Sequence, residues 1–173
     1  MAGRLQKAAE SQAISGIRTP HRLYFILKDP APLAGMEYPA AGLPWDRLFA
    51  AGLSNVVCLC GAHVSYNPAP LRLLRAVEME DLHHGGLPKD PAGNEHILRD
   101  VVDVVLPRLY QGQGVVVHCV GGTGRTGTVL GCVLRSLGYP SGEVIAYLNE
   151  LNLSRGKRGW PESPWQARMV ERF

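Results

Sequence analysis

Residues 114–127 read Gly-Val-Val-Val-His-Cys-Val-Gly-Gly-Thr-Gly-Arg-Thr-Gly, and this stretch decides the fold. Gly114 to His118 is a short apolar run with the β-branched content of a buried strand. Thr126 to Leu137 is apolar at helical spacing until Gly138-Tyr139-Pro140 stops it. Glycines at 121, 122, 124 and 127 separate the two and free the backbone between them. A strand, a glycine loop and a helix start in that order form an anion cradle: N–H groups from Val120 to Arg125 can turn toward one point, where the helix dipole is positive. Phosphate is the natural occupant, with Arg125 able to grip two of its oxygens. The same positive field favours the thiolate of Cys119, which makes it a nucleophile.

Working outward, the chain alternates strand and helix signals. His21 to Lys28 and a short segment around Leu33 to Gly35 read as strands, and Trp45 to Ala51 as a short helix stopped by Gly52. Asn55 to Cys60 reads as a buried strand, Pro68 to Arg75 as a short helix, and Ala76 to Glu80 as an alternating strand. A Gly/Pro-rich loop over residues 81–93 follows. Apolar residues from Ile97 to Leu109 then recur at helical spacing, with Asn94 as the expected N-cap and Pro107 as a kink or end. Two further helices are expected over Ser141 to Leu151 and Glu162 to Phe173. The pattern predicts an α/β fold: one domain with a central sheet flanked by helices and a ligand at the carboxyl ends of its strands. Residues 1–20 are expected to be an N-terminal extension, and residues 21–173 the catalytic domain.

Composition agrees with one domain. The 173 residues are 46% hydrophobic and 19% charged, with a net charge of +3, enough to suit an anionic ligand and too little for a nucleic-acid surface. No apolar run approaches the roughly 20 residues that span a bilayer. The opening MAGRLQKAAESQAIS lacks the apolar core of a secretory signal. Cys58, Cys60, Cys119 and Cys132 sit in apolar segments, which suggests reduced thiols and a cytoplasmic location.

His118-Cys119-Val120-Gly121-Gly122-Thr123-Gly124-Arg125-Thr126 resembles the signature of the cysteine-dependent protein tyrosine phosphatase superfamily: His-Cys, five residues, Arg, then Ser or Thr. Leu33-Ala34-Gly35 with Tyr38-Pro39, and Leu48 to Leu59, look like the amino-terminal half of its compact dual-specificity branch. The resemblance implies a dual-specificity-phosphatase-like fold and hydrolysis of phosphotyrosine and other phosphomonoesters, without metal or cofactor. It implies that Cys119 attacks phosphorus, that Arg125 binds the ester and steadies the transition state, and that Thr126 supports the leaving thiolate. His118 would hold the loop. Val120, Gly121, Gly122, Thr123, Gly124 and Arg125 would bind the phosphoryl group.

A leaving alkoxide or phenoxide needs a proton, so a carboxylic acid must reach the cradle. Asp81, ending the strand before the Gly/Pro loop, is similar to the family's general acid, and neighbouring Glu78 and Glu80 are expected to raise its pKa. Asp90, before Pro91, is its rival. Cys58, Cys60 and His63, or His83, His84 and His96, lack the paired spacing of structural zinc sites, so no metal is expected. The resemblance also implies that Cys60 can lie behind Cys119 and form a protective disulfide with it. Arg155-Gly156-Lys157-Arg158 is a solvated loop or a receptor for a second anionic group. Pro161-Glu162-Ser163-Pro164-Trp165-Gln166 is similar to the family's final segment beside the cradle.

The small, uncharged cradle residues lack the lysines of lipid phosphatases, so phosphorylated protein leads. RNA 5′-phosphate, inositol phosphate and phosphoglycan remain alternatives, as do a phosphate-binding module without catalysis and a sulfurtransferase of the rhodanese type.

Overall fold

A computed structural model describes residues 3–173. Its sheet has five strands in the order β1-β2-β5-β3-β4: β1 (Leu23–Leu27), β2 (Leu33–Met36), β3 (Leu53–Cys58), β4 (Arg72–Ala76) and β5 (Gly114–His118). β1 runs antiparallel to β2, while β2, β5, β3 and β4 are mutually parallel. The helices are α1 (Trp45–Ala50), α2 (Pro91–Tyr110), α3 (Gly124–Ser136), α4 (Ser141–Ser154) and α5 (Pro164–Arg172). The α/β class and the single sheet flanked by helices expected from the sequence are observed, and β5 has the bounds expected of it.

Alternation along the strands divides the core in two. Val115 and Val117 of β5, with Tyr24, Ile26, Val57 and Leu59, pack against α2, α3, α4 and α5. Val116, with Phe25, Ala34, Met36 and Val56, packs against Trp45 and Leu48 of α1 and against Ile14. β5 is therefore covered on both faces, and all five of its residues are buried. The described part of the N-terminal segment lies on this domain: Gln6 donates its N–H to Ile26 O, and Tyr139 and Tyr147 donate their hydroxyls to Gly3 O and Gln6 O.

Some local expectations give way to the fold, for physical reasons. Residues 72–76 form strand β4, where a helix over Pro68 to Arg75 was expected; of the expected strand over Ala76 to Glu80, Ala76 ends β4, and the pairing continues beyond it in the bonds Val77 N to Cys58 O and Met79 N to Leu59 O and in a Cys60–Glu78 bridge. A short helix is marginal alone, whereas the open edge of β3 supplies a full row of backbone partners. α2 starts at Pro91, with Asp90 as the cap: its carboxylate accepts from Gly93 N at 2.9 Å. Asn94, the expected cap, instead accepts from Glu80 N at 2.8 Å and donates to the Glu80 carboxylate at 3.0 Å. Glu80 in turn accepts from Lys89 N and Asp90 N, bonds that draw its pKa below the ordinary value. Pro107 lies inside α2, which continues to Tyr110.

This capping fixes what Asp90 does. Asp90→Ala should cost about 0.5–2 kcal/mol of stability in urea unfolding, as the loss of a helix cap does, while leaving the pH dependence of activity unchanged.

Candidate active site

β5 is the central strand, and it delivers Cys119 to the carboxyl end of the sheet, where residues 119–123 turn into α3. The carbonyls of this loop are drawn outward. Val120 O accepts from Tyr38 N at 2.9 Å, Gly121 O from Thr123 Oγ1 at 3.4 Å, and Gly124 O from Trp160 Nε1 at 3.2 Å and Thr128 Oγ1 at 2.8 Å. Gly122 O accepts from Tyr24 Oη at 2.7 Å and Arg155 Nη1 at 3.2 Å. Among the described residues, the N–H groups of Val120, Gly121, Gly122 and Thr123 have no acceptor within the chain. They remain as donors for a ligand, the arrangement of an anion nest.

Gly122 is required where it stands. Its φ is +68°, and a Cβ there would meet the Met36 carbonyl at 2.6 Å. Tyr24 and Arg155, which hold its carbonyl, are both buried, and the guanidinium stacks 3.8 Å from the Tyr24 ring centroid. Burial pushes the Tyr24 hydroxyl up to about 12, so it stays a donor. Arg155 also donates to Pro20 O, His21 O and Asn152 Oδ1, and is 2% exposed. The solvated-loop reading of 155–158 therefore fails at Arg155, which is interior and structural. Lys157 and Arg158 do line the cleft, Lys157 while paired with Glu37 at 2.6 Å.

The cleft has a volume of about 280 Å³ and brings Cys119, Val120, Gly121, Thr123, Gly124, Arg125 and Asp81 together. Thr126 Oγ1 lies 3.2 Å from Cys119 Sγ and is aimed to donate to it. Arg125 is buried and reaches Met79 O at 3.3 Å and Asp81 Oδ2 at 3.5 Å. His118 is fully buried: Nδ1 donates to Cys119 O at 3.0 Å, and Nε2 accepts from Tyr66 Oη at 2.6 Å. That pairing holds the carbonyl of Cys119 away from the cleft. Asp90 is not among the lining residues; its carboxylate is on the α2 cap.

Two carboxyl groups differ in the cleft. Burial raises the pKa of Asp81, but the bonds from His83 and the charge of Arg125 outweigh it and hold the group below the ordinary value. The expected upward shift from Glu78 and Glu80 is not what the fold produces, because Glu80 turns to the backbone of 89–90. Glu162 also lines the cleft, and its pKa is raised by burial and then by the Asp81 charge. The sequence reading noted its segment but gave Glu162 no role; only the fold places it opposite Asp81. The sulfur of Cys60 contacts Cys58 Sγ at 3.9 Å, and all four cysteines are free thiols.

Comparisons with known proteins bear on the family and the fold. Residues 23–153 match the family model described as "Swiss Army Knife protein, DSP-PTPase phosphatase domain". The chain is 34% identical over 80 residues to "Putative tyrosine phosphatase 067L" of Invertebrate iridescent virus 3; the match covers 42% of this chain and about a third (33%) of that protein's length. Its fold is similar to that of the human tyrosine phosphatase-like serine/threonine/tyrosine-interacting protein, with a TM-score of 0.60 at 16% identity over 81% of this chain and 89% of that one. It is likewise similar to PTPMT1 crystallised in complex with PI(5)P, with a TM-score of 0.58 at 16% identity over 81% and 88%.

The outward carbonyl of Gly122 generates a prediction. Tyr24→Phe removes one of its two donors and should weaken orthovanadate binding about tenfold, in line with roughly 1–1.5 kcal/mol for a buried hydrogen bond. Isothermal titration of both proteins checks it, with circular dichroism to confirm an unchanged fold.

Proposed function

We propose that this chain, which belongs to the DSP-PTPase phosphatase family, hydrolyses phosphomonoesters through a covalent phosphocysteine on Cys119. The observation that carries the reading is the hydroxyl of Thr126, 3.2 Å from the Sγ of Cys119, whose cleft is also lined by Arg125 and Asp81. A thiolate donates an electron pair to phosphorus as the ester oxygen departs with the bonding pair, and Asp81 protonates that oxygen. Water then attacks the phosphocysteine, giving up a proton to the same carboxylate, and the sulfur leaves as thiolate with the Thr126 hydroxyl donating to it. The free N–H groups of 120–123 and the Arg125 guanidinium bind the equatorial oxygens, whose charge grows in the transition state.

Asp81 works in this scheme because its environment changes with the substrate. In the free site it is held ionised beside Arg125. A phosphate dianion takes over the guanidinium and faces the carboxylate with negative charge, and both effects favour the protonated acid. Glu162, whose pKa burial and the Asp81 charge raise, is the more readily protonated of the two carboxyl groups facing the phosphate. A protein phosphate leads as substrate, since no lysine stands in the cradle. Lys157 and Arg158 at its rim favour, as a second reading, a phosphomonoester with another anionic group, as PTPMT1 with PI(5)P illustrates for that protein. Reduced thiols support a cytoplasmic location as part of the same proposal.

The test is hydrolysis of aryl phosphates with chelator present. Cys119→Ser should lose turnover. For the wild type, kcat/KM should fall as pH rises through the neutral range, because Asp81, held low in the free protein, must carry a proton. Asp81→Asn should cost about 10²–10⁴-fold with phenyl phosphate and much less with a dinitrophenyl phosphate, whose leaving group needs no proton. An equal loss on both substrates would remove Asp81 from the role of acid. Faster turnover of inositol phosphates than of phosphotyrosine peptides would favour the second reading.

A further inference from the structure

The carboxyl end of β3 carries a cluster that phosphoryl transfer leaves unused. Cys58 and Cys60 are two residues apart on an extended chain, so both side chains fall on one face. Cys58 is the register partner of His118 on β5, which brings that imidazole to the same face. Both sulfurs and a ring nitrogen of His118 lie within 4.8 Å of one another.

The dimensions and tautomer are those of a metal site. The two sulfurs are 3.9 Å apart, and a tetrahedral ion with bonds of about 2.3 Å to sulfur holds two thiolates roughly 3.8 Å apart. His118 donates from Nδ1 to the Cys119 carbonyl, which leaves the lone pair on Nε2. Metal-ligating histidines take this form, with one nitrogen fixed on a carbonyl and the other on the ion. Nε2 is now met by the hydroxyl of Tyr66 at 2.6 Å, which an incoming ion would replace as its partner. Cys58 and His118 are buried, while Cys60 and Tyr66 are partly exposed and open the cluster to solvent.

We propose that Cys58, Cys60 and His118 bind a zinc-class ion, with the Tyr66 oxygen or solvent as fourth donor. Two thiolates and an imidazole select zinc over magnesium or calcium, which take oxygen donors. Sequence spacing hid the site, because it suggested His63 as the third ligand and the third ligand comes from β5, 58 residues beyond Cys60 in sequence position. An ion here ties the ends of β3 and β5 together directly beneath the loop, and its ligand His118 is bonded to the carbonyl of the nucleophile. Occupancy should therefore raise the unfolding temperature and couple to the phosphate cradle.

Cobalt(II) titration of the reduced, metal-free chain tests this by absorption. The expected result is one equivalent bound with a thiolate-to-cobalt charge-transfer band and intense tetrahedral bands, displaced by zinc. The band should be lost in Cys58→Ser and in Cys60→Ser and kept in Cys119→Ser, and zinc should raise the thermal midpoint of the wild type but not of Cys60→Ser. Should Cys58→Ser fail to fold, the partly exposed Cys60→Ser carries the test, its integrity shown by unchanged metal-free aryl phosphate turnover. No thiolate band, or a band kept in the β3 variants and lost in Cys119→Ser, would overturn the proposal.

Discussion

A loop that binds an anion with its N–H groups must turn its carbonyls the other way, and those carbonyls then need buried donors. Much of the fold around the cleft follows from that constraint. The carbonyl of Gly122 is met by Tyr24 from β1 and Arg155 from the end of α4, that of Val120 by Tyr38, and that of Gly124 by Trp160. A buried cation such as Arg155 is costly unless its donors are used, and it makes bonds to four acceptors besides stacking on Tyr24. The loop is thus held in its receptive shape by the chain itself, which removes an ordering cost from ligand binding.

The parallel register of β5 between β2 and β3 sets the chemistry on both sides of the sheet. Strand alternation sends His118 toward Tyr38 and Tyr66, the latter stacked on Trp45, on one face, and Cys119 toward α3 on the other, where Thr126 waits. Neighbouring residues of one strand therefore serve different surroundings, joined by the bond from His118 Nδ1 to the Cys119 carbonyl. That bond is also the link by which the thiol cluster of β3 reaches the cleft.

The parts of this arrangement legible in the sequence were the local ones. β5, the glycine loop and the start of α3 are contiguous, so spacing alone brings Cys119, Arg125 and Thr126 to one point. The acid loop was half legible: Asp81 does reach Arg125, whereas the bond from Gly93 N that makes Asp90 the α2 cap had no signal of its own in the spacing. β4 was missed because Arg72 to Ala76 has no strand-like alternation of its own and is a strand by virtue of the β3 edge. Tyr24 and Arg155 were missed because they act on Gly122 from sequence separations of 98 and 33 residues. Glu162 and the Cys58–Cys60–His118 cluster share that reason, since tertiary contacts rather than spacing define them.

The central claim is that the thiolate of Cys119 takes the phosphoryl group. Acid-quenching the chain during turnover of an aryl phosphate and measuring intact and peptide masses tests it most directly. The account predicts one phosphoryl adduct on the peptide containing Cys119, absent when that residue is serine or when the substrate is withheld. Full turnover without an adduct, or an adduct on any other residue, would contradict it.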